Sequence, residues 1–444
     1  MNKKTFLSAV VQHIRSKEAK ESVKAELEHH IHESSDRLIK KGYSKNEAEH
    51  LAVQQMGNPS SLGIEFKKLY RPKIEWRLIC LFLIVLGLGY LPLIILKDVD
   101  VGFSQDLSIT SLKRSIYVLM GILIAIILCI FNYRKWQRYA WYFFGVGTLI
   151  LIVANSGDLF ESFIITINGR PFFDFIVFTV DTSIALPFFL IAWASIVNNL
   201  KVKFWKLCMF IFISTFLYMN TINISLFMMY LFMLLLMYLN SNRTHKIKIV
   251  MVSLCSGVLA FLTIKNMKFY NITDITDRIM GLLQPENDPN GAGYTYIQIK
   301  MLLSQTTWGF QPITDEIYFS IPWLYSELVL LFLTYTFGWG FAVLLLVILT
   351  LIIVNIAFIA TQVADPFGKQ LIIGAATIYA FQLFYNVGMS FGFLPLAGIS
   401  LPFISYGNAP IFINAIMIGI VLSVYRRKDL VANMDKKSNP SLSR

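Results

Sequence analysis

Residues 324–354 read LYSELVLLFLTYTFGWGFAVLLLVILTLIIV, an apolar run with one charge, Glu327. A helix rises 1.5 Å per residue and needs about 20 apolar residues to cross a bilayer. The run is therefore long enough to span a membrane. Working outward from it, similar runs lie at about 78–96, 115–132, 139–154, 175–197, 204–219, 222–239, 249–264, 370–393 and 408–425. With residues 324–354 they make about ten spans, the third, fifth and seventh being short. Composition agrees: of 444 residues, 56% are hydrophobic and 15% charged, and the mean hydropathy is +0.59. Soluble chains average about 45–50% apolar and about 25% charged residues. This balance excludes most soluble enzyme folds, nucleic-acid binders and secreted disulfide scaffolds. Cys80, Cys129, Cys208 and Cys255 all fall in apolar stretches without metal spacing and read as small core hydrophobes.

The net charge of +12 is read through the positive-inside rule. With the N-terminus placed in the cytoplasm, inner loops carry Arg134, Lys135, Arg138, Lys201, Lys203, Lys206, Arg243, Lys246, Lys248 and Lys369. The short outer loops carry only Lys97, Lys113, Arg114 and Arg170. Arg426, Arg427 and Lys428 then fall inside as well. Both termini are expected in the cytoplasm, with one long outer loop at about 265–323 and a cytoplasmic tail at 429–444.

Residues 1–70 are charged and lack the apolar core of a cleavable signal peptide. They read as a small soluble helical unit. Val23, Leu27 and Ile31 recur every four residues, and Leu38 continues that face. Gly42 ends the helix, Ser44 and Glu47 form a capping box, and Met56-Gly57-Asn58-Pro59 is a break. His29, His30 and His32 read as a solvated face rather than a metal site. The segment resembles the helical prefix domains of some bacterial permeases and membrane regulators, which makes it a cytoplasmic unit ahead of a membrane domain at 75–428.

Acids within spans are costly and are functional candidates by default. Two qualify, Asp181 and Glu327, each expected near the outer end of its span. The outer connection 394–407, with Pro395, Gly398, Pro402, Ser405, Tyr406 and Gly407, lies at the same level. Acids, connection and long loop converge on one face, where a molecule with a lipid tail and a polar head would be handled.

The C-terminal part reads Gln382…Asn386-Val387-Gly388-Met389…Leu394-Pro395-Leu396-Ala397-Gly398-Ile399-Ser400-Leu401-Pro402-Phe403-Ile404-Ser405-Tyr406-Gly407. This is similar to the signature of the SEDS family, which includes FtsW, RodA and SpoVE. Asp365-Pro366-Phe367-Gly368, Asp288-Pro289-Asn290-Gly291-Ala292-Gly293-Tyr294…Gln298 and Ile167-Asn168-Gly169 resemble three further family motifs. The resemblance covers about residues 75–428 and implies an all-α fold of about ten transmembrane helices. It further implies a peptidoglycan glycosyltransferase that polymerises lipid II at the outer face of the bacterial cell membrane. Aligned from Pro322 and from Gly338, Glu327 falls on the family's catalytic Asp. Tyr335-Thr336 stand where the family has two Glu, while Thr182 and Ala185 stand where it has Glu and Lys. Gly407-Asn408 replaces a Gly pair.

Lipid II polymerisation joins a 4-hydroxyl to an anomeric carbon with inversion and expels a lipid diphosphate. A carboxylate general base, Glu327, would take the hydroxyl proton, a role worth about 10²–10⁴-fold. Partial desolvation at a helix end would raise its pKa in the useful direction. Asp181, Gln382, Asn386, Ser405 and Tyr406 are the expected substrate-binding residues. Arg278 and Lys300, with Arg170, are the outer cations able to face the diphosphate, and a divalent cation is another source of positive charge. No protein metal site and no resident cofactor are expected. The partner expected from the resemblance is a class B penicillin-binding protein, a transpeptidase. Two other readings suit the same features: a flippase for the lipid-linked precursor, and a catalytically weak scaffold for the transpeptidase.

Overall fold

The computed structural model describes residues 2–14, 17–69, 71–96, 104–156, 164–167, 170–175, 178–221, 223–244, 279–321 and 324–428. The expected seventh span, Cys255, Arg278, Pro322 and the tail 429–444 lie outside them. The chain falls into two compact units, one built on Met1–Ile74 and the other on Glu75–Gln362 with Pro366–Val424.

The first unit holds four helices, Lys3–Gln12, Lys17–Ile39, Lys45–Gln55 and Pro59–Leu69. The stripe Val23, Leu27, Ile31 and Leu38 is buried against Phe6, Val10, Ala48, Ala52 and Val53. Gly42 takes a φ of 99°, a left-handed conformation that turns the chain after the second helix. Ser44 and Glu47 form the reciprocal capping box that starts the third. His29, His30 and His32 are exposed.

The second unit is a bundle of apolar helices. Among the described residues five are long and apolar enough to cross a membrane: Trp76–Ile95, Ile109–Ile130, Val329–Gln362, Pro366–Ser390 and Ala409–Arg426. Four shorter apolar helices, Ala140–Asn155, Thr182–Asn198, Phe204–Asn220 and Ser225–Leu239, stand at the other expected spans among the described residues. Together they form an all-α multi-pass membrane protein. Aromatic packing knits the shorter helices together: Trp193 Nε1 donates to Tyr230 Oη at 2.9 Å, and the Tyr230 ring stacks on Tyr218 at 4.7 Å. Cys80 is exposed, while Cys129 and Cys208 are half-buried, so these three sit toward the surface of the bundle rather than in its core.

One expected span begins late. Residues 175 and 178–181 are strand rather than helix: β1 (Ile164–Ile167), β2 (Arg170–Phe175) and β3 (Phe178–Asp181) form a small antiparallel sheet in the order β1-β2-β3. Phe172 pairs with Asp181, and Phe175 with Phe178. The run is rich in Phe, Val, Ile and Thr, residue types that suit a pleated ladder. Its hydropathy alone could not tell a strand from the start of a span. The fourth helical stretch therefore begins at Thr182.

The long connection folds onto the bundle. Its described part holds the helices Tyr294–Gln305 and Asp315–Ser320. Tyr296, Ile299, Leu302 and Ile313 pack with Leu324, Leu328, Leu331, Phe332, Tyr335 and Met389 in one apolar cluster. The helix Val329–Gln362 breaks its regular geometry at Gly338, with φ 83° and ψ 172°. There the backbone of the connection runs alongside it: Gln311 N donates to Thr336 O at 2.9 Å, and Trp339 N donates to Thr307 O at 3.1 Å. A Cβ on Gly338 would lie 2.6 Å from the Trp308 carbonyl oxygen. Gly338→Val should therefore loosen this seam, costing about 1–3 kcal/mol. Limited proteolysis should then cut faster between 306 and 311, and an unchanged cleavage rate would contradict the account.

Candidate functional site

Both acids stand at helix entrances. Asp181 caps the 3-10 turn Thr182–Ile184, and its Oδ1 accepts from Ser183 N at 3.2 Å and from Ser183 Oγ. Glu327 lies in the turn just before Val329. Both are half-buried. The reading that placed them inside the spans is corrected: a carboxylate at a helix N-terminus meets unpaired amides and the positive end of the helix dipole, which lowers the cost of its charge.

The turn that carries Glu327 is held from two other segments. Asn386, fully buried in the helix Pro366–Ser390, donates from Nδ2 to Glu327 O at 2.8 Å and to Ile399 O at 2.6 Å. Ser405 Oγ donates to Ser326 O at 2.6 Å and accepts from Leu401 N at 2.7 Å. Tyr406 N donates to Tyr325 O at 3.4 Å, and the two rings lie 5.8 Å apart. Each of these hydrogen bonds ends on backbone, so Asn386 and the connection 391–408 together fix where residues 325–327 sit. Burial, the largest cause, holds the Tyr406 hydroxyl above the usual phenol pKa, so it stays protonated and able to donate.

The connection itself is shaped by close approach. Phe403 adopts a φ of 64°, the left-handed region, and is the one non-glycine residue to do so among the described residues. Such a conformation costs about 1–3 kcal/mol. It is held by burial against Phe82 at 5.1 Å and by the Arg114 guanidinium, whose Nη2 donates to Phe403 O at 2.8 Å. Tyr296 Oη accepts from Leu396 N at 2.9 Å, tying the folded outer connection to the same segment.

A small cleft of about 50 Å³ adjoins this connection. Asp181, Ser183, Asn223, Ser225, Gln382 and Ser400 line it with apolar Met229 and Ile413. The amide of Gln382 is set by Asn414, whose Nδ2 donates to Gln382 Oε1 at 2.8 Å. Ile399 lines the cleft and also receives the Asn386 hydrogen bond, which links the cleft wall to the Glu327 turn.

Of the expected site residues, the structure thus brings Asp181 and Gln382 to one cleft, and Asn386, Ser405 and Tyr406 to the backbone around Glu327. It does not bring Lys300 there: that side chain is exposed on a helix whose neighbour Ile299 is buried in the apolar cluster. Arg278 lies outside the described residues. Tyr335 and Thr336 are buried in the bundle, and Thr336 Oγ1 donates to Phe332 O at 3.0 Å. Sequence reasoning missed Asn223, Ser225 and Ser400. It also counted Arg114 only as a loop charge, although an Arg at the edge of an apolar run is a functional candidate in its own right. Among the described residues no group of three His, Cys, Asp or Glu gathers to hold a metal ion.

A family model described as "Cell cycle protein" (FtsW, RodA, SpoVE) matches residues 76–430. Among curated relatives, the peptidoglycan glycosyltransferase MrdB of Escherichia coli (strain K12) is 30% identical over 158 residues, covering 35% of this chain and 43% of MrdB. The chain thus spans less than half the length of that relative. The probable peptidoglycan glycosyltransferase FtsW of Nitrosomonas europaea is 25% identical over 374 residues, covering 80% of this chain and 93% of the relative. A chain from a peptidoglycan synthase complex described as coordinating polymerization and crosslinking superposes with a TM-score of 0.62 at 19% identity, covering 80% of this chain and 98% of that one. The rod shape determining protein RodA of Thermus thermophilus gives a TM-score of 0.55 at 17% identity, covering 80% and 97%. At such identities the structural likenesses carry the fold.

Proposed function

The chain belongs to the FtsW/RodA/SpoVE family of cell cycle proteins, and on that premise we propose that it polymerises lipid II into glycan strands at the outer face of a bacterial cell membrane. The observation that carries this reading is the Glu327 turn: a half-buried carboxylate at a helix entrance, with the backbone on either side held by Asn386 and Ser405. Glu327 acts as general base on the acceptor 4-hydroxyl. The oxygen attacks the anomeric carbon of the donor, the bond to the lipid diphosphate breaks, and the proton passes to the carboxylate. Rigid backbone around the base favours this chemistry, because a misplacement of ~1 Å can cost about 100-fold in rate.

Asp181 and Gln382 bind polar parts of the saccharide at the cleft, and Tyr406 is a further substrate-binding residue on the connection that holds the Glu327 turn. Arg278 and Lys300 serve the diphosphate only if the outer connection carries them to it. Residues 1–70 form a cytoplasmic docking or regulatory unit, with both termini inside. A class B penicillin-binding protein is the proposed partner, and the synthase complex among the structural neighbours supports that kind of assembly. A scaffold role is the second reading, favoured by the burial of Tyr335 and Thr336 where the family pattern has acids.

Labelling tests the face. Cysteine placed at the exposed Asn287 should react with an impermeant maleimide on intact cells, whereas cysteine at the exposed Lys201 should react only after lysis. A cytoplasmic position 287 would remove the outer-face site and the polymerase reading with it. Vesicles separate the classes: movement of fluorescent lipid II between leaflets without chain formation would favour a flippase.

A further inference from the structure

Arg114 is 1% exposed, yet it is a full cation at the start of a membrane helix. Its guanidinium donates to three consecutive carbonyls: Nη2 to Phe403 O at 2.8 Å and Ile404 O at 3.2 Å, and Nη1 to Ser405 O at 3.4 Å. The Tyr90 ring lies 5.5 Å from its Cζ, within cation–π range. Gly89 makes room for it: a Cβ there would run into the guanidinium and would stand 2.8 Å from Phe403 O. The three carbonyls belong to the turn that contains the left-handed Phe403, and the same turn supplies Ser405 Oγ to Ser326 O and Tyr406 N to Tyr325 O. A chain of direct contacts therefore runs from Arg114 through residues 403–406 to residues 325–326, next to Glu327.

We propose that Arg114, seated by Gly89 and Tyr90, is a positioning residue of the site: it sets the shape of the 403–406 turn and through it the place of the Glu327 carboxylate. Being buried, it does not meet substrate, so its effect falls on the rate of the bond-forming step rather than on binding. A planar fork suits this task, because one guanidinium reaches several carbonyls that a single ammonium would serve poorly. The proposal rests on the reading of Glu327 as the general base.

The test uses the full-length purified protein with R114Q, R114K and G89A. With fluorescent lipid II, R114Q should lower kcat per folded molecule about 100-fold with KM within about twofold of wild type. R114K should recover part of that loss, and G89A, which keeps the charge but crowds the guanidinium, should fall in the same direction as R114Q. Hydrogen–deuterium exchange reads the positioning without activity. In R114Q and G89A, segments 401–407 and 324–328 should exchange faster together, while the helix Lys17–Ile39 keeps its wild-type rate.

Unchanged kcat in both R114Q and G89A would overturn the proposal. So would faster exchange at 401–407 with none at 324–328. If R114Q fails to fold, the milder G89A decides. If the wild type makes no polymer, the polymerase reading fails on its own, and the coupled exchange alone decides whether Arg114 positions the turn.

Discussion

Replacing Asn386 by Leu should destabilise the membrane unit and remove most of its activity together. The side chain is fully buried, and its Nδ2 serves Glu327 O and Ile399 O at once. Its Oδ1 also accepts from Ser390 Oγ at 3.4 Å. Leu fills the volume but leaves two buried carbonyls and a hydroxyl without that partner. An unsatisfied buried group costs about 1–3 kcal/mol, so the two carbonyls alone account for a loss of about 2–6 kcal/mol. In detergent the Tm should fall by about 3–8 °C. A Tm within about 2 °C of wild type with full polymerisation would show that the Glu327 turn is held by something else.

Glu327→Gln should abolish polymerisation without disturbing the fold. The contacts that fix the turn end on backbone atoms of Ser326 and Glu327, so the amide keeps them all. What it loses is the ability to accept a proton, a role worth about 10²–10⁴-fold. Glu327→Asp is expected to lose about 10–100-fold, because a backbone pinned by Asn386 cannot advance to offset the shorter side chain. The Gln variant should keep the wild-type Tm and lipid II affinity. Wild-type rates in Gln would remove Glu327 from the mechanism.

Much of this architecture is legible in hydropathy. The long runs at Trp76–Ile95, Val329–Gln362 and Ala409–Arg426 stand out because a bilayer demands length and leaves few alternatives. The prefix is legible for a different reason: Val23, Leu27 and Ile31 mark one helical face, and Ser44 with Glu47 satisfies amides locally. The sheet before Thr182 was hidden because an aromatic, β-branched strand and the start of a span share one apolar signature. The acids were found by the cost of their charge, but the capping role of Asp181 was not, since a helix boundary moves with whatever precedes it.

The support around Glu327 was not readable from chemistry. Asn386 and Ser405 act on backbone carbonyls 59 and 79 residues away, and no local spacing encodes such a partner. They entered only through a resemblance of motifs. Arg114 escaped because it sits at the border of an apolar run, where a snorkelling cation is the ordinary case. Its burial appears only when residues 403–405 fold back onto it. Lys300 shows the opposite failure: a cation on the right loop faces away from the apolar cluster because Ile299 and Leu302 take the inner positions of its helix.

The central claim is that this chain makes glycan strands and that a carboxylate at position 327 drives the step. Purified full-length protein incubated with fluorescent lipid II and resolved by electrophoresis tests it most directly. The account predicts a ladder of lengthening chains from wild type and unreacted lipid II from a folded Glu327→Gln variant. Unreacted lipid II in both lanes, from protein shown to be folded, would contradict it.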